Sequence, residues 1–177
     1  MTIIGIDPGT LVTGFGVVRF HKNKLERLDS GVITLRETTT LPEKLERLYD
    51  NIVDIIQLHK PDEMAIEDIF FSRNVKSALK LGHARGVVML GALHRDIRIT
   101  EYSAKEMKMA VVGNGNADKE QVRYMVKNLL GINQSMGLDE SDALGLAICH
   151  AHRLKSPRRS SSRSWAAFVK LNPERVK

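Results

Sequence analysis

The stretch IIGIDPGT, residues 3 to 10, constrains the fold more than any other part of this chain. An apolar run that ends on an aspartate and turns at once on Pro-Gly reads as a buried strand with an acid at its mouth, because a solvated strand would alternate apolar and polar residues. Ligands are commonly held at such strand ends. Asp7 therefore calls for a partner elsewhere in the chain.

The segments after Asp7 set the topology. GFGVVRF (14 to 20) and LERLDSGVITL (25 to 35) are rich in β-branched residues and flank His-Lys-Asn-Lys, which predicts a hairpin and a third strand. From Leu41, apolar Leu45, Leu48, Ile52 and Ile55 recur at helical spacing, with Pro42 suited to a first turn, until Lys-Pro-Asp breaks the pattern after His59. EMAIE (63 to 67) is a short strand that ends, like the first, on an acid. Asn74 to His94 is helical and rich in small residues, so it is suited to close packing on the sheet or on a second copy of itself. RITEY (98 to 102) is a strand, and Ser103 with Glu106 forms a capping-box signal for a short helix. VVGNGNADK is a loop leading to a helix from about Asp118 to Leu130, closed by Gly131, and a last helix runs from about Leu138 to Leu154. Strands and long helices thus take the order βββαβαβαα, an α/β domain whose opening antiparallel meander is continued by parallel crossovers. Residues 1 to 154 are expected to form this domain. Residues 155 to 177, rich in serine and arginine and poor in core formers, read as a mobile basic tail.

Acids recur where this topology brings chain ends together. Glu67 closes its strand as Asp7 closes the first, and neighbouring strands lie about 4.8 Å apart, so the two carboxylates can share one site. LDESDALGLAICH starts a helix in which Asp139 and Asp142 occupy one face of the first turn, a face continued inward by Ala143 and Leu146. Uncompensated, four carboxylates would repel one another or stay protonated. Oxygen donors without a Cys or His cluster favour Mg²⁺ or Mn²⁺, and two such ions about 4 Å apart suit phosphodiester cleavage. Plainer roles exist for each acid taken singly. Asp139 suits an N-cap and Asp142 a first-turn position, Asp7 suits an Asx turn before Pro-Gly, and Glu67-Asp68 suits a solvated strand end.

Charge sorts along the chain in a way that suits a polyanion beside an acidic site. Residues 1 to 72 carry 8 Lys/Arg against 12 Asp/Glu, residues 73 to 127 carry 11 against 5, residues 128 to 152 carry none against 3, and residues 153 to 177 carry 8 against 1. Arg73, Lys76, Lys80, Lys105, Lys108, Lys119, Arg123 and Lys127 lie in the basic middle segment and are candidates for phosphate neutralisation. Phe70 and Phe71, in a chain with 5% aromatics, suit either stacking on an unpaired base or a place in the core. Cys149 has no second cysteine to pair with and reads as a core thiol. No stretch approaches the roughly 18 apolar residues of a membrane span, and the opening lacks the pattern of a leader, so a cytoplasmic protein without membrane contact is expected.

In their order and intervals, GIDPGT with its Gly-x-Gly second strand, AIEDIFFSRN, ALKLGHARG, VVGNGNADKEQV and DESDALGLAICHAH resemble the RuvC family of Holliday junction resolvases, over about residues 1 to 153. The resemblance implies a ribonuclease-H-like fold, a homodimer, and paired nicking of four-way DNA junctions that depends on Mg²⁺, with two ions per site and Mn²⁺ as a substitute. It places the catalytic, metal-holding acids on Asp7, Glu67, Asp139 and Asp142, the stacking aromatic on Phe70, and basic residues beside the scissile phosphate on Lys108 and Lys119. It further implies a branch-migration helicase as partner. Glu140 and Ser141 depart from the small residues expected between the last two aspartates, and Glu140 is expected to face solvent. A Gly-Ile-Asp-x-Gly-Thr opening also begins the phosphate-loop ATPases of the actin and sugar-kinase superfamily, which need two such domains.

Overall fold

A computed structural model describes residues 1–36, 40–68 and 75–155. Three strands open the chain, β1 (Thr2–Asp7), β2 (Val12–His21) and β3 (Lys24–Thr34). Next come α1 (Leu41–His59), β4 (Glu63–Glu67), α2 (Val75–Leu93), β5 (Arg98–Tyr102), α3 (Ala104–Val112), α4 (Lys119–Leu130) and α5 (Leu138–Lys155). The expected order of strands and long helices is found, with the short α3 after β5. Local chemistry sets these boundaries. Thr40 with Glu43, Ser103 with Glu106 and Asp118 with Gln121 form capping boxes at the starts of α1, α3 and α4, and Gly113 and Gly131 end α3 and α4 in the left-handed conformation. Between β2 and β3, Lys22 and Asn23 both take positive φ, 47° and 64°, as a two-residue hairpin that matches the twist of its strands requires.

The sheet runs β3-β2-β1-β4-β5. β2 pairs antiparallel with β1 and with β3, while β4 pairs parallel with β1 and with β5, so the opening meander and the crossover strands meet at the centre. Alternation along the strands divides the core in two. Ile3 and Ala65 pack with Tyr102, Met107, Val122, Leu144 and Ile148 beneath α3, α4 and α5, whereas Ile4, Ile6, Met64 and Ile66 pack with Leu48, Ile52 and Val88 beneath α1 and α2. By the same alternation Asp7 and Glu67 face α5, and Asp68 and Glu101 face α2.

The two layers are built differently. On the α5 side the helix backbone lies directly on the sheet backbone, because the strands present glycine there. A Cβ at Gly5 would stand 2.0 Å from the Ala143 carbonyl oxygen, one at Gly14 would stand 2.0 Å from the Asp139 carbonyl oxygen, and one at Gly16 would meet the Leu144 side chain at 2.6 Å. No side chain fits in those gaps. On the other side α1 buries an ordinary apolar stripe, and α2 packs on it through Ala84, Val88, Gly91 and Ala92. The outer face of α2 stays open, with Leu79, Leu90 and Leu93 exposed and free space above Gly82 and Gly86. No helix of the described residues is long and apolar enough to cross a membrane.

At the N-terminal end of β4 a buried polar chain joins three elements. The Tyr102 hydroxyl donates to His150 Nδ1 at 2.7 Å, and His150 Nε2–H donates to Glu63 Oε2 at 2.7 Å. Burial holds His150 below the usual imidazole range, and the Glu63 carboxylate, an acceptor only, draws the ring proton to Nε2. Cys149 is buried as expected, and burial pushes its thiol up to about 12.

Candidate active site

The acids assemble at the opposite end of the same strands. Ile6 pairs with Ile66 in the parallel ladder, so Asp7 and Glu67 close neighbouring strands in register and on one face. Burial drives the Asp7 carboxyl well above the ordinary carboxylate range, the charge of Glu67 and a hydrogen bond shared with it raise it further, Asp142 adds to the rise, and Lys119 opposes it. The β1–β2 turn is held instead by Thr13, whose hydroxyl accepts from the Gly9 N–H at 3.2 Å and donates to the Gly9 carbonyl at 3.2 Å. Asp7 thus spends its side chain on the site rather than on its own turn.

Asp142 follows the first turn of α5, three residues after Asp139, and its Oδ2 lies 2.9 Å from Lys119 Nζ. The pair is asymmetric, the Asp142 side chain being 13% exposed and that of Lys119 54%. Lys119 opens α4 directly after the Asp118 cap. Its hydrogen bond to Asp142 raises the ammonium above the usual lysine range against the opposing effect of burial, and the charges of Asp7 and Asp139 add to the rise. Asp139 joins at the edge, with its charge acting on Lys119 and its carbonyl over Gly14, the residue that pairs with Asp7 in the β1–β2 ladder. Three elements, β1, β4 and α5, thus set Glu67 and Asp142 against Asp7, with Asp139 reaching the group through Lys119.

The donor set suits a hard divalent cation. It is all oxygen, partly desolvated and negative in excess, which is why the Asp7 carboxyl holds its proton above the ordinary carboxylate range. Among the described residues, however, no three His, Cys, Asp or Glu side chains stand close enough to form a ready-made cage. The reason is visible in the contacts. Asp142 is turned to Lys119 and Asp7 to Glu67, so binding a cation would compete with the proton on Asp7 and loosen the Lys119 contact.

Glu140 corrects an expectation. It is half-buried rather than free in solvent: Oε1 accepts from the Ser30 hydroxyl at 2.7 Å and Oε2 accepts from the Gly137 N–H at 3.4 Å, which latches the start of α5 to β3. Ser141 is buried and donates to the Leu138 carbonyl at 2.9 Å.

The basic residues divide. Lys105 lines, with Pro8, Glu67, Asp68, Leu81, Ser103 and Ala104, a cleft of about 580 Å³ that opens beside the acids. Lys80 borders a smaller cavity of about 130 Å³, mainly apolar, with Thr10, Leu11 and Leu35. Lys76 is exposed on α2, and Lys108 and Lys127 are half-buried on α3 and α4. Arg123 is engaged inside the fold, pairing with Glu120 and donating to the Met136 carbonyl at 3.2 Å. Phe70, Phe71 and Arg73 lie outside the described residues. Sequence reasoning did not find the structural work of Gly5, Gly14 and Gly16, although glycine inside a strand is itself the sign of a close backbone approach.

The family model of the crossover junction endodeoxyribonuclease RuvC matches residues 3–150. The chain is 46% identical over 164 residues to the crossover junction endodeoxyribonuclease RuvC of Francisella tularensis subsp. novicida (strain U112), an alignment covering 93% of this chain and 95% of that protein. Its fold is similar to that of Thermus thermophilus RuvC, with TM-score 0.78 and 30% identity over 88% of this chain and 96% of that one. A second solved structure, T. thermophilus RuvC in complex with Holliday junction substrate, is similar with TM-score 0.80 and 27% identity, again over 88% and 96% of the two chains.

Proposed function

The chain belongs to the RuvC family of crossover junction endodeoxyribonucleases, and from that premise we propose that it resolves four-way DNA junctions by paired symmetric nicks made at the acidic cluster of Asp7, Glu67, Asp139 and Asp142. The observation that carries this assignment is the convergence of Glu67 and Asp142 on Asp7, with Lys119 as the neighbouring ammonium. Asp7, Glu67 and Asp142 hold the divalent cations, Mg²⁺ in our reading, two per site with Mn²⁺ able to replace it, and Asp139 completes the set. Bound there, such ions lower the pKa of water and steady the leaving oxygen of a phosphodiester. Water adds to phosphorus, the bond to the 3′ oxygen breaks, and the products are a 5′-phosphate and a 3′-hydroxyl.

The remaining residues serve the substrate. Lys119 places its ammonium at the rim of the cluster, where it meets the scissile phosphate, and Lys108 stands beside it by resemblance. Lys105 lines the cleft at Glu67, a path for the strand being cut. Arg73, Lys76 and Lys80 neutralise flanking phosphates, which positions DNA without reading its sequence, and Arg123 joins them only on releasing Glu120. Phe70 stacks where strands exchange. Residues 155–177 form a basic tail beyond the resolvase unit of residues 1–154.

Two nicks related by a two-fold axis call for two copies, and the exposed Leu79, Gly82, Gly86, Leu90 and Leu93 stripe of α2 is the surface we assign to that homodimer. The protein acts in the cytoplasm with a branch-migration helicase as partner. The test incubates the protein with a mobile four-way junction, an equal-length duplex and an RNA/DNA hybrid, with and without Mg²⁺, beside Asp7→Asn. Symmetric, cation-dependent nicks confined to the junction and lost in the variant are expected. Cutting of the hybrid, or cutting by Asp7→Asn, would refute the assignment.

A further inference from the structure

Arg85 sits on α2, on the side of the sheet opposite the acids. Its Nε donates to the backbone carbonyl of Glu67 at 3.1 Å, its guanidinium pairs with Glu101, and it lies 3.8 Å from Asp68 Oδ1. Only 17% of the side chain is exposed. Three contacts to the ends of β4 and β5 thus come from one half-buried fork, an arrangement that suits arginine and not lysine.

The Glu67 carbonyl needs this donor for a reason written in the sequence. The Asp68 N–H donates to the Tyr102 carbonyl at 2.8 Å, which closes the ladder toward β5 and turns the preceding carbonyl, that of Glu67, toward β1. There the parallel register of Ile6 with Ile66, carried on by one residue, would offer it the N–H of residue 8. Residue 8 is proline and has none. An unpaired carbonyl at this position would leave the end of β4 unanchored just where it carries a site acid.

We propose that Arg85 is a positioning residue: it replaces the missing Pro8 rung, fixes the backbone of Glu67 from behind the sheet, and ties Asp68 and Glu101 to the α2 face so that Glu67 alone turns toward Asp7. The inference rests on Glu67 being one of the site's acids. Arg85 itself reaches neither phosphate nor Asp7, because it approaches from the other face and its donors are engaged by Glu67, Asp68 and Glu101.

The test uses the full chain carrying Arg85→Lys, Arg85→Gln, Glu101→Gln or Glu67→Gln. Four quantities are read: the single-turnover rate on a prebound four-way junction, junction affinity with Mg²⁺ chelated, Mn²⁺ binding by calorimetry without DNA, and thermal stability. Both Arg85 variants should lower the rate and the Mn²⁺ affinity by roughly 10- to 100-fold, the range for partners that orient metal ligands, with junction affinity unchanged. Glu101→Gln, which keeps the donor to the Glu67 carbonyl, should lower stability and leave the rate near wild type. Pro8→Ala returns an N–H to residue 8 and should recover part of the rate in the Arg85→Gln background. Unchanged rate and Mn²⁺ affinity in the Arg85 variants would overturn the inference. So would no recovery on adding Pro8→Ala, an equal rate loss in Glu101→Gln at equal stability, or weakened junction binding with the rate restored at saturation, which would make Arg85 a phosphate contact. If Glu67→Gln still cleaves, the assignment of Glu67 falls and this inference with it. An inactive Glu67→Gln beside unaffected Arg85 variants overturns the present inference alone.

Discussion

β4 and α5 lie side by side and carry buried or half-buried polar groups at both ends, yet the two ends are finished differently. At one, Glu63, His150 and Tyr102 form a hydrogen-bonded chain in which each donor has its acceptor. At the other, Asp7 meets Glu67 and Asp142, and one lysine faces Asp142, Asp7 and Asp139. The same strand and helix thus hold a closed polar network and an open one. A closed network fastens elements together, whereas an excess of one sign in a desolvated corner costs stability unless something from solution completes it. The contrast separates structural polarity from functional polarity without reference to any relative.

The sharpest way to break this contrast is at Asp7. Asp7→Asn should lower junction cleavage at least ~10²-fold while leaving junction binding intact, and without divalent cations it should raise the melting temperature, because it removes a buried acid whose neighbours disfavour its charge. Loss of stability instead would mean that the acids close a network of their own. Gly14→Ala comes next. Its Cβ would stand 2.0 Å from the Asp139 carbonyl oxygen, so α5 must lift, at a cost of about 1–3 kcal/mol with slower single-turnover cleavage. Denaturant titration and single-turnover rates check both effects.

At the closed end, His150→Ala leaves Glu63 and Tyr102 without their shared partner and should cost about 2–3 kcal/mol, with the cleavage rate of the folded protein unchanged. A folded His150→Ala that cannot cut would show that the two ends are coupled. The smallest effect is one of pH. Because burial lowers the His150 pKa from 6.5, the unfolded chain takes up a proton there before the native one does. Stability is therefore full above about 6.5 and falls as pH drops through and below it, a slope that His150→Asn should flatten in thermal melts.

Much of this molecule is legible in its sequence because its signals are local. Capping boxes at Thr40, Ser103 and Asp118, the glycine stops and the two-residue turn at Lys22-Asn23 act within a few residues, so helix and strand limits can be read from the chain alone. Asp7 and Glu67 could be matched because parallel neighbours end together. The features that escaped depend on contacts across the fold. The turning of Glu140 onto Ser30 lies 110 residues away in sequence, and the grip of Arg85 on the Glu67 carbonyl depends on the register between β1 and β4. Lys119 was marked by family resemblance, and only the packing of α4 against α5 brings it to Asp142. The purpose of Gly-x-Gly in β2 appears only once a helix lies on it.

That helix seat has a mechanical consequence. Between α5 and Gly5 of β1 and Gly14 of β2 there is no side chain to slide, rotate or compress, so the height of Asp139 and Asp142 above Asp7 is set by backbone atoms in mutual contact. The acidic corner inherits the stiffness of two interlocked main chains, and whatever adjustment it makes to the charge it receives must come from the torsions of four short side chains.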